Sequence, residues 1–173
     1  MANKLKGKDL LLALDRAVVE VEHLIDINAG GCGTFALLVA RHLQRLGVTF
    51  EVLSSHEPWG SCNIRAGIEA WNAGEVTTCR EWDYHAHQTR AHIFLRIKAG
   101  RRWIVFDSEG IIPDDGKVVP SMRTVRRNSE PMPFEVLELI CTNCEERDWN
   151  TMYDKEQDSD MEDGIKLAFA PFY

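Results

Sequence analysis

The sequence predicts an α+β fold, and three observations favour this class. Two helical patterns open the chain and a strand pattern follows over 48–53, so the elements do not alternate as they do in a doubly wound fold. Two further strand patterns lie close together near residue 100. At 173 residues, the chain suits one ordinary hydrophobic core. We therefore expect residues 1–173 to form a single domain.

Composition and charge exclude several classes of function. The net charge is -7 and the chain has no run of five Lys or Arg residues, so we expect no nucleic-acid partner. The chain also lacks eighteen consecutive apolar residues, so we expect no membrane partner. The five cysteines are irregularly spaced, which is typical of a reducing compartment rather than a disulfide framework. These features predict a cytoplasmic protein.

The first two elements are predicted to be amphipathic helices. Over residues 9–25, apolar positions recur every three to four residues, which is the spacing of one buried helical face. A second pattern of this kind begins at Phe35 and continues to Leu46, where Gly47 ends it. Cys32 therefore lies in the first turn of the second helix.

This position favours a nucleophilic role for Cys32. Free N–H groups and the positive end of the helix dipole stabilise a thiolate there. Gly30, Gly31 and Gly33 permit positive φ and the close approach of a substrate carbonyl. The N–H of Cys32 is then available to stabilise an oxyanion. The alternative is that Cys32 is a small buried apolar residue and that the glycines only form a turn.

A β-hairpin is predicted from residues 91–98 and 102–107, which are rich in β-forming residues. If Ala99 and Gly100 form a two-residue turn, His92 lies directly opposite Asp107. A carboxylate in that position fixes the tautomer of the imidazole and stabilises its protonated form.

Two other arrangements of the hairpin remain open. A three-residue turn with a bulge at Gly100 would shift the register by one residue and place Asp107 on the other face. In the second arrangement, His92 is an ordinary strand residue, and Asp107 caps a turn with Ser108 and Gly110.

The remaining segments are less clearly patterned. We expect residues 54–90 to form an insertion or substrate loop with a short helix over 64–71, and its tryptophans either line a groove or fill the core. A helix is predicted after Pro133, and residues 150–164 are predicted to form an acidic linker. Residues 165–170 alternate loosely, as an edge strand does.

Two segments resemble those of transglutaminase-like cysteine enzymes, which belong to the papain-like superfamily. The nucleophile helix of that family has an aromatic residue, Ala, Leu and Gly at three, four, eleven and fifteen positions after its Cys. The residues here at those positions are Phe35, Ala36, Leu43 and Gly47. The strand that begins with His92, the turn at Gly100, Trp103 and Asp107 resemble the second motif. The family often has Trp where Phe94 stands and an acidic residue where Arg96 stands.

The resemblance implies a papain-like or transglutaminase-like core, with a nucleophile helix packed on an antiparallel sheet. It also implies a catalytic triad of Cys32, His92 and Asp107 that acts on amide bonds of a protein or peptide without a cofactor. A cysteine peptidase or isopeptidase is the first expectation, and a transglutaminase or deamidase is the second. Weaker candidates for oxyanion or substrate positioning are Asn28, Gly31 and Trp59.

Two alternatives belong to other functional classes. One is a catalytically inactive transglutaminase-like module that keeps the groove for a partner. The other is a zinc-binding protein that uses Cys79, His85 and His87, with His92 as a further ligand, because His-x-His on a strand points both rings to one face.

Overall fold

A computed structural model describes residues 7–24, 31–56, 63–86, 91–112, 129–142 and 155–173. The six α-helices in these ranges are α1 (Gly7–Val21), α2 (Cys32–Arg45), α3 (Ile64–Asn72), α4 (Cys79–Ala86), α5 (Phe134–Thr142) and α6 (Lys155–Phe169). The five strands are β1 (Phe50–His56), β2 (Ala91–Ala99), β3 (Arg102–Asp107), β4 (Gly110–Ile112) and β5 (Ser129–Met132). A short 3₁₀ turn, Ala170–Phe172, follows α6.

The strands form one sheet in the order β4-β3-β2-β1-β5, and every pair of neighbours is antiparallel. This arrangement confirms the α+β class, because the strands share one antiparallel sheet and the helices lie outside it. Within the described ranges, no helix combines the length and the apolar character that crossing a bilayer requires.

Helix α2 is the central helix of the core. All residues from Cys32 to Ala40 are buried, so its first two turns are enclosed on every side rather than along one stripe. It packs against β2, α5 and α6, and the rings of Phe35 and Phe106 lie 5.6 Å apart where it crosses the sheet. The helix ends as predicted, because Gly47 adopts a φ of +65° just after the last turn.

The far end of α2 is anchored by the C-terminal segment. The ring of His42 stacks on Phe169 at 4.9 Å, and a hydrogen bond of 2.6 Å joins its Nδ1 to the hydroxyl of Tyr173. His42 is buried, so this bond satisfies a ring nitrogen that water does not reach freely.

Two expectations about loops are wrong in the described residues. The short helix expected over 64–71 is confirmed as α3, but the expected loop 54–90 also contains α4, and β1 extends into it through residue 56. The expected linker 150–164 and edge strand 165–170 are largely replaced by α6. Asp160, Glu162 and Asp163 of α6 are exposed, while its inner face is buried and packs against α1, through Met161, Ile165, Ala168 and Phe169.

Helices α3 and α4 pack closely at Gly67. A Cβ atom at this position would lie 2.9 Å from the Cβ of Ala86 and 2.9 Å from Cζ3 of Trp82, whose side chain is fully buried. The glycine therefore permits a contact between helices that a methyl group would prevent.

We predict that Gly67→Ala destabilises the protein despite the higher helix propensity of alanine. Overpacking costs about 1–3 kcal/mol and the propensity returns at most about 1 kcal/mol, so the free energy of unfolding should fall. Urea denaturation measures the difference. Gly7→Ala is the control, because no atom lies within 4 Å of its Cβ position. Equal stability for both variants would contradict the close packing described here.

Candidate active site

His92 and Asp107 lie on neighbouring strands and are hydrogen-bonded. The His92 Nε2–H donates to Oδ2 of Asp107 at 2.9 Å. The predicted register is wrong by two residues, however, because Ala99 pairs with Arg102 and the turn is made by residues 100 and 101. Gly100 has a φ of +64°, so glycine rather than Ala99 occupies the position that requires positive φ.

The shift of two residues keeps both side chains on one face of the sheet. Leu95 pairs with Phe106, so the same register places Phe94 beside Asp107 and makes His92 a diagonal neighbour. Diagonal partners have Cα atoms roughly 7–8 Å apart, which a long side chain can bridge. A shift of one residue would have separated the two groups.

Asp107 is almost fully enclosed, and both of its carboxylate oxygens have partners. Its side chain is 1% exposed. One oxygen accepts from His92, and Oδ1 accepts from the backbone N–H of Glu109 at 2.8 Å. Asp107 therefore caps the β3–β4 turn and orients His92 at the same time. The two roles considered for it in the sequence are compatible.

Cys32 begins α2 beside His92. Burial alone raises the pKa of its thiol, but a hydrogen bond from the His92 ring and the charge of that ring lower it. The N–H groups of Ile93 and Gly33 also donate to the sulfur, and the net pKa lies below the usual value for a thiol. These interactions favour a thiolate at Cys32.

The pKa of His92 shifts in the opposite direction. Burial lowers the pKa of its ring, but hydrogen bonds to Asp107 and Cys32, together with the charges of both groups, raise the pKa to about 10. Nε2 is occupied by Asp107, so Nδ1 is the ring nitrogen available to the sulfur. The hydroxyl of Ser55 on β1 donates to the His92 carbonyl at 3.3 Å and holds the backbone from the other side.

These contacts form a connected chain from thiol to imidazole to carboxylate. The arrangement supports a thiolate paired with an imidazolium, which provides a nucleophile and a proton donor at adjacent atoms. Cys32 lies at a helix start, where backbone N–H groups without helical partners can stabilise developing negative charge.

The described glycines around Cys32 do not provide the positive φ that the sequence suggested. Gly31 has a φ of −80° and Gly33 lies within α2, so neither uses positive φ. A Cβ at Gly33 would instead lie 3.1 Å from the sulfur of Cys141 and 3.3 Å from Cδ1 of Ile93. Gly33 therefore permits a close approach of α2 to these two side chains, which would have to move to accommodate a methyl group. Gly30 lies outside the described residues.

Several other candidate residues lie apart from this site or outside the described residues. Asn28, Trp59 and His87 are outside the described ranges. Trp82 is a core residue with 0% exposure, and Trp71 lines a cavity of about 500 Å³ with Arg41 and other residues. Arg41 is nine residues beyond Cys32, about 13 Å along α2, so this cavity is remote from the thiol.

The structure removes Cys79 from the ligands of the zinc hypothesis. Cys79 is disulfide-bonded, so its sulfur cannot bind a metal as a thiolate. The irregular cysteine spacing favoured a reducing compartment over a disulfide framework and did not indicate this bond, because a disulfide depends on proximity in the fold. Nε2 of His85 lies 3.9 Å from a carboxylate oxygen of Glu75. In the described part of the chain, no group of three or more His, Cys, Asp or Glu side chains is arranged to hold a metal.

Comparisons with known proteins add no assignment. No family model matches the chain, and neither the curated proteins nor the solved structures give a match.

Two residues at the site were missed in the sequence. Phe94 stacks on His92, and the N–H of Glu109 holds the second oxygen of Asp107. Phe94 lies two positions after His92, so strand alternation places both on one face, and this signal was available. The role of Glu109 depends on the backbone of a turn, for which its side chain gives no signal.

We predict that Asp107→Asn lowers the pKa of His92 well below 10. The variant removes one of the two charges that favour the imidazolium. NMR titration of the imidazole resonances measures the change. His42 is the internal control, because its pKa is held below the usual value by burial and by Arg45 and Lys166, none of which changes.

The same shift has a consequence for stability. The pKa of His92 is raised in the fold, so its stabilising contribution is complete below pH 6.5 and is lost as the pH rises through about 10. The stability difference between the parent protein and Asp107→Asn should therefore shrink toward pH 10. An unchanged His92 titration in the variant would contradict the assigned hydrogen bond.

Proposed function

We propose that the protein is a thiol-dependent hydrolase or acyltransferase that acts on amide bonds through Cys32, His92 and Asp107. The observation that supports this proposal is the 2.9 Å hydrogen bond from His92 to a buried carboxylate, combined with the hydrogen bond between His92 and a thiol at a helix start. A nucleophile, a base and an orienting group in this order are the requirements for acyl transfer.

The reaction then follows from the protonation states. The Cys32 thiolate attacks the carbonyl carbon of the amide, and the electron pair of the C=O bond moves to oxygen. As the C–N bond breaks, the His92 imidazolium transfers its proton to the leaving amine, which departs neutral. The product is a thioester on Cys32, with a neutral His92 still bonded to Asp107.

The second half of the reaction regenerates the thiolate. Neutral His92 accepts a proton from water or from an acceptor amine as that group attacks the thioester carbon. Breaking the C–S bond then restores the thiolate and the imidazolium. The N–H of Cys32 stabilises the oxyanion in both halves. Water as the acceptor gives a peptidase, isopeptidase or deamidase, and an amine gives a transglutaminase.

The substrate class follows from the transglutaminase-like resemblance. A protein or peptide amide is the proposed substrate, and a cysteine peptidase or isopeptidase is the first form of the activity. The resemblance rests on the motifs around Cys32 and His92, and its papain-like core remains part of this proposal.

We predict that three variants abolish or strongly reduce turnover. Cys32→Ser removes the thiolate, and His92→Gln removes the proton transfer, which is worth about 10²–10⁴-fold in rate. Asp107→Asn keeps the His92 ring but removes the carboxylate that stabilises its charge, so the loss of turnover should be smaller. Thioester formation with activated acyl-amide peptide probes, followed by intact mass, measures the activity. Glu75→Gln, which alters the carboxylate near His85, is the control.

We also predict that iodoacetamide modifies Cys32 rapidly at acid to neutral pH and that His92→Gln slows this modification. The thiolate is the reactive form, and its presence depends on the charge of His92. Peptide mapping after limiting alkylation identifies the site, with Cys141, which is partly buried, as the internal reference cysteine. Reaction of Cys32 no faster than Cys141 would contradict an activated thiol. Partner binding that survives Cys32→Ala, without any thioester, would favour the inactive binding module.

A further inference from the structure

Phe94 lies two positions after His92 on β2, and its ring stacks with the imidazole in an offset arrangement. Its ring centroid lies 6.0 Å from that of His92, and the two ring planes differ by 22°. This geometry is an offset stack within the range that aromatic pairs prefer. Phe94 is 1% exposed, so solvent does not compete for this face of the imidazole.

The strands hold Phe94 in place from both sides. On β1, Leu53 is its direct partner, and on β3 the register places Asp107 beside it. Phe94 therefore lies beside the group that bonds the edge of the His92 ring, and its own side chain covers a face of that ring. The edge contact and the face contact restrict different rotations of the imidazole.

We propose that Phe94 is a positioning residue for His92, which holds the imidazole in the plane shared by Cys32 and Asp107 and favours its protonated form through its π-face. This inference rests on the proposed function, since it concerns the base of that reaction. It adds a residue that does not itself touch the reacting atoms.

The physical basis is the interaction of a cation with an aromatic face. The negative face of the Phe94 ring attracts an imidazolium more than a neutral imidazole. Such contacts are worth about 0.5–2 kcal/mol, depending on how far the pair is removed from water. Because the imidazolium stabilises the Cys32 thiolate, weaker stacking should make the thiolate less stable as well.

The protonation of His92 also depends on the charged groups around its ring. Among the described side chains, Cys32 on α2 and Asp107 on β3 interact with the ring directly. Its partner on β1 is the neutral Ser55. Further along the same face, Arg96 and Glu51 pair with each other at 3.1 Å. Phe94 therefore affects the protonation equilibrium of His92 as an uncharged aromatic ring.

The test is the pH dependence of Cys32 alkylation, which needs no substrate. We expect Phe94→Leu to move the midpoint of the alkylation profile upward by roughly 0.5–1.5 pH units, because that shift corresponds to the loss of the stacking energy. Phe94→Tyr keeps the aromatic face and should keep a midpoint close to that of the parent protein. Phe94→Met replaces Phe94→Leu if the latter does not fold, because it is also non-aromatic and fills a similar volume.

Phe169→Leu is the matched control. Phe169 is also fully buried and also stacks on a histidine, but His42 lies ten residues beyond Cys32, about 15 Å along α2. This variant should lose comparable stability in urea without moving the alkylation midpoint. An equal shift in Phe169→Leu would mean that general loosening of the core causes the effect, and would overturn the proposal.

The remaining outcomes separate this inference from the proposed function. If His92→Gln moves the midpoint and Phe94→Leu does not, the positioning role of Phe94 is wrong and the pair of Cys32 and His92 stands. If Phe94→Tyr shifts the midpoint as far as Phe94→Leu does, the aromatic face is not the cause. If His92→Gln also leaves the midpoint unchanged, His92 does not activate the thiol and the proposed function fails.

Discussion

The hydrogen bond between His92 and Asp107 is the interaction on which the candidate site depends. A buried carboxylate is costly unless its oxygens are bonded, and this one is satisfied by a side chain on β2 and by the backbone of the β3–β4 turn. Sheet pairing thereby fixes the imidazole relative to the backbone, and α2 brings the sulfur to its other side. Removing the carboxylate would take away one of the two charges that favour the imidazolium and would leave the ring less restrained.

The electrostatics of the site are reciprocal. Burial opposes the charged form of both Cys32 and His92, so neither would be ionised alone in this environment. Together they stabilise each other, with Asp107 as the third charge, so the proton is best described as belonging to the pair. The pairing of Cys32 with His92 therefore depends on geometry, since moving the two groups apart would weaken their attraction while burial still opposed both charges.

The sequence predicted the helix of Cys32 and the hairpin of His92 because both have strong local periodicity. It could not establish the hairpin register, since the choice between Ala99 and Gly100 as the first turn residue moves every partner by two. His92 and Asp107 nevertheless share one face of the sheet as predicted, because the error was two residues and strand alternation has a period of two. Helix α6 was missed because its acidic composition was given more weight than its apolar spacing. Proximity across the chain, as at Gly33 and Cys141, has no local signal.

The anchoring of α2 at both ends has a consequence for how Cys32 is aligned. The helix has 14 residues and is about 21 Å long, and a buried helix of this length behaves as a stiff rod. Its first turn meets the sheet, and its last turn is held by Phe169 and Tyr173 through His42. Tilting the rod about its midpoint would move the sulfur and the imidazole of His42 in opposite directions by similar amounts. A tilt would therefore have to break contacts at both ends at once, and loss of the contacts at His42 alone leaves the sulfur held beside His92 by its own buried turn.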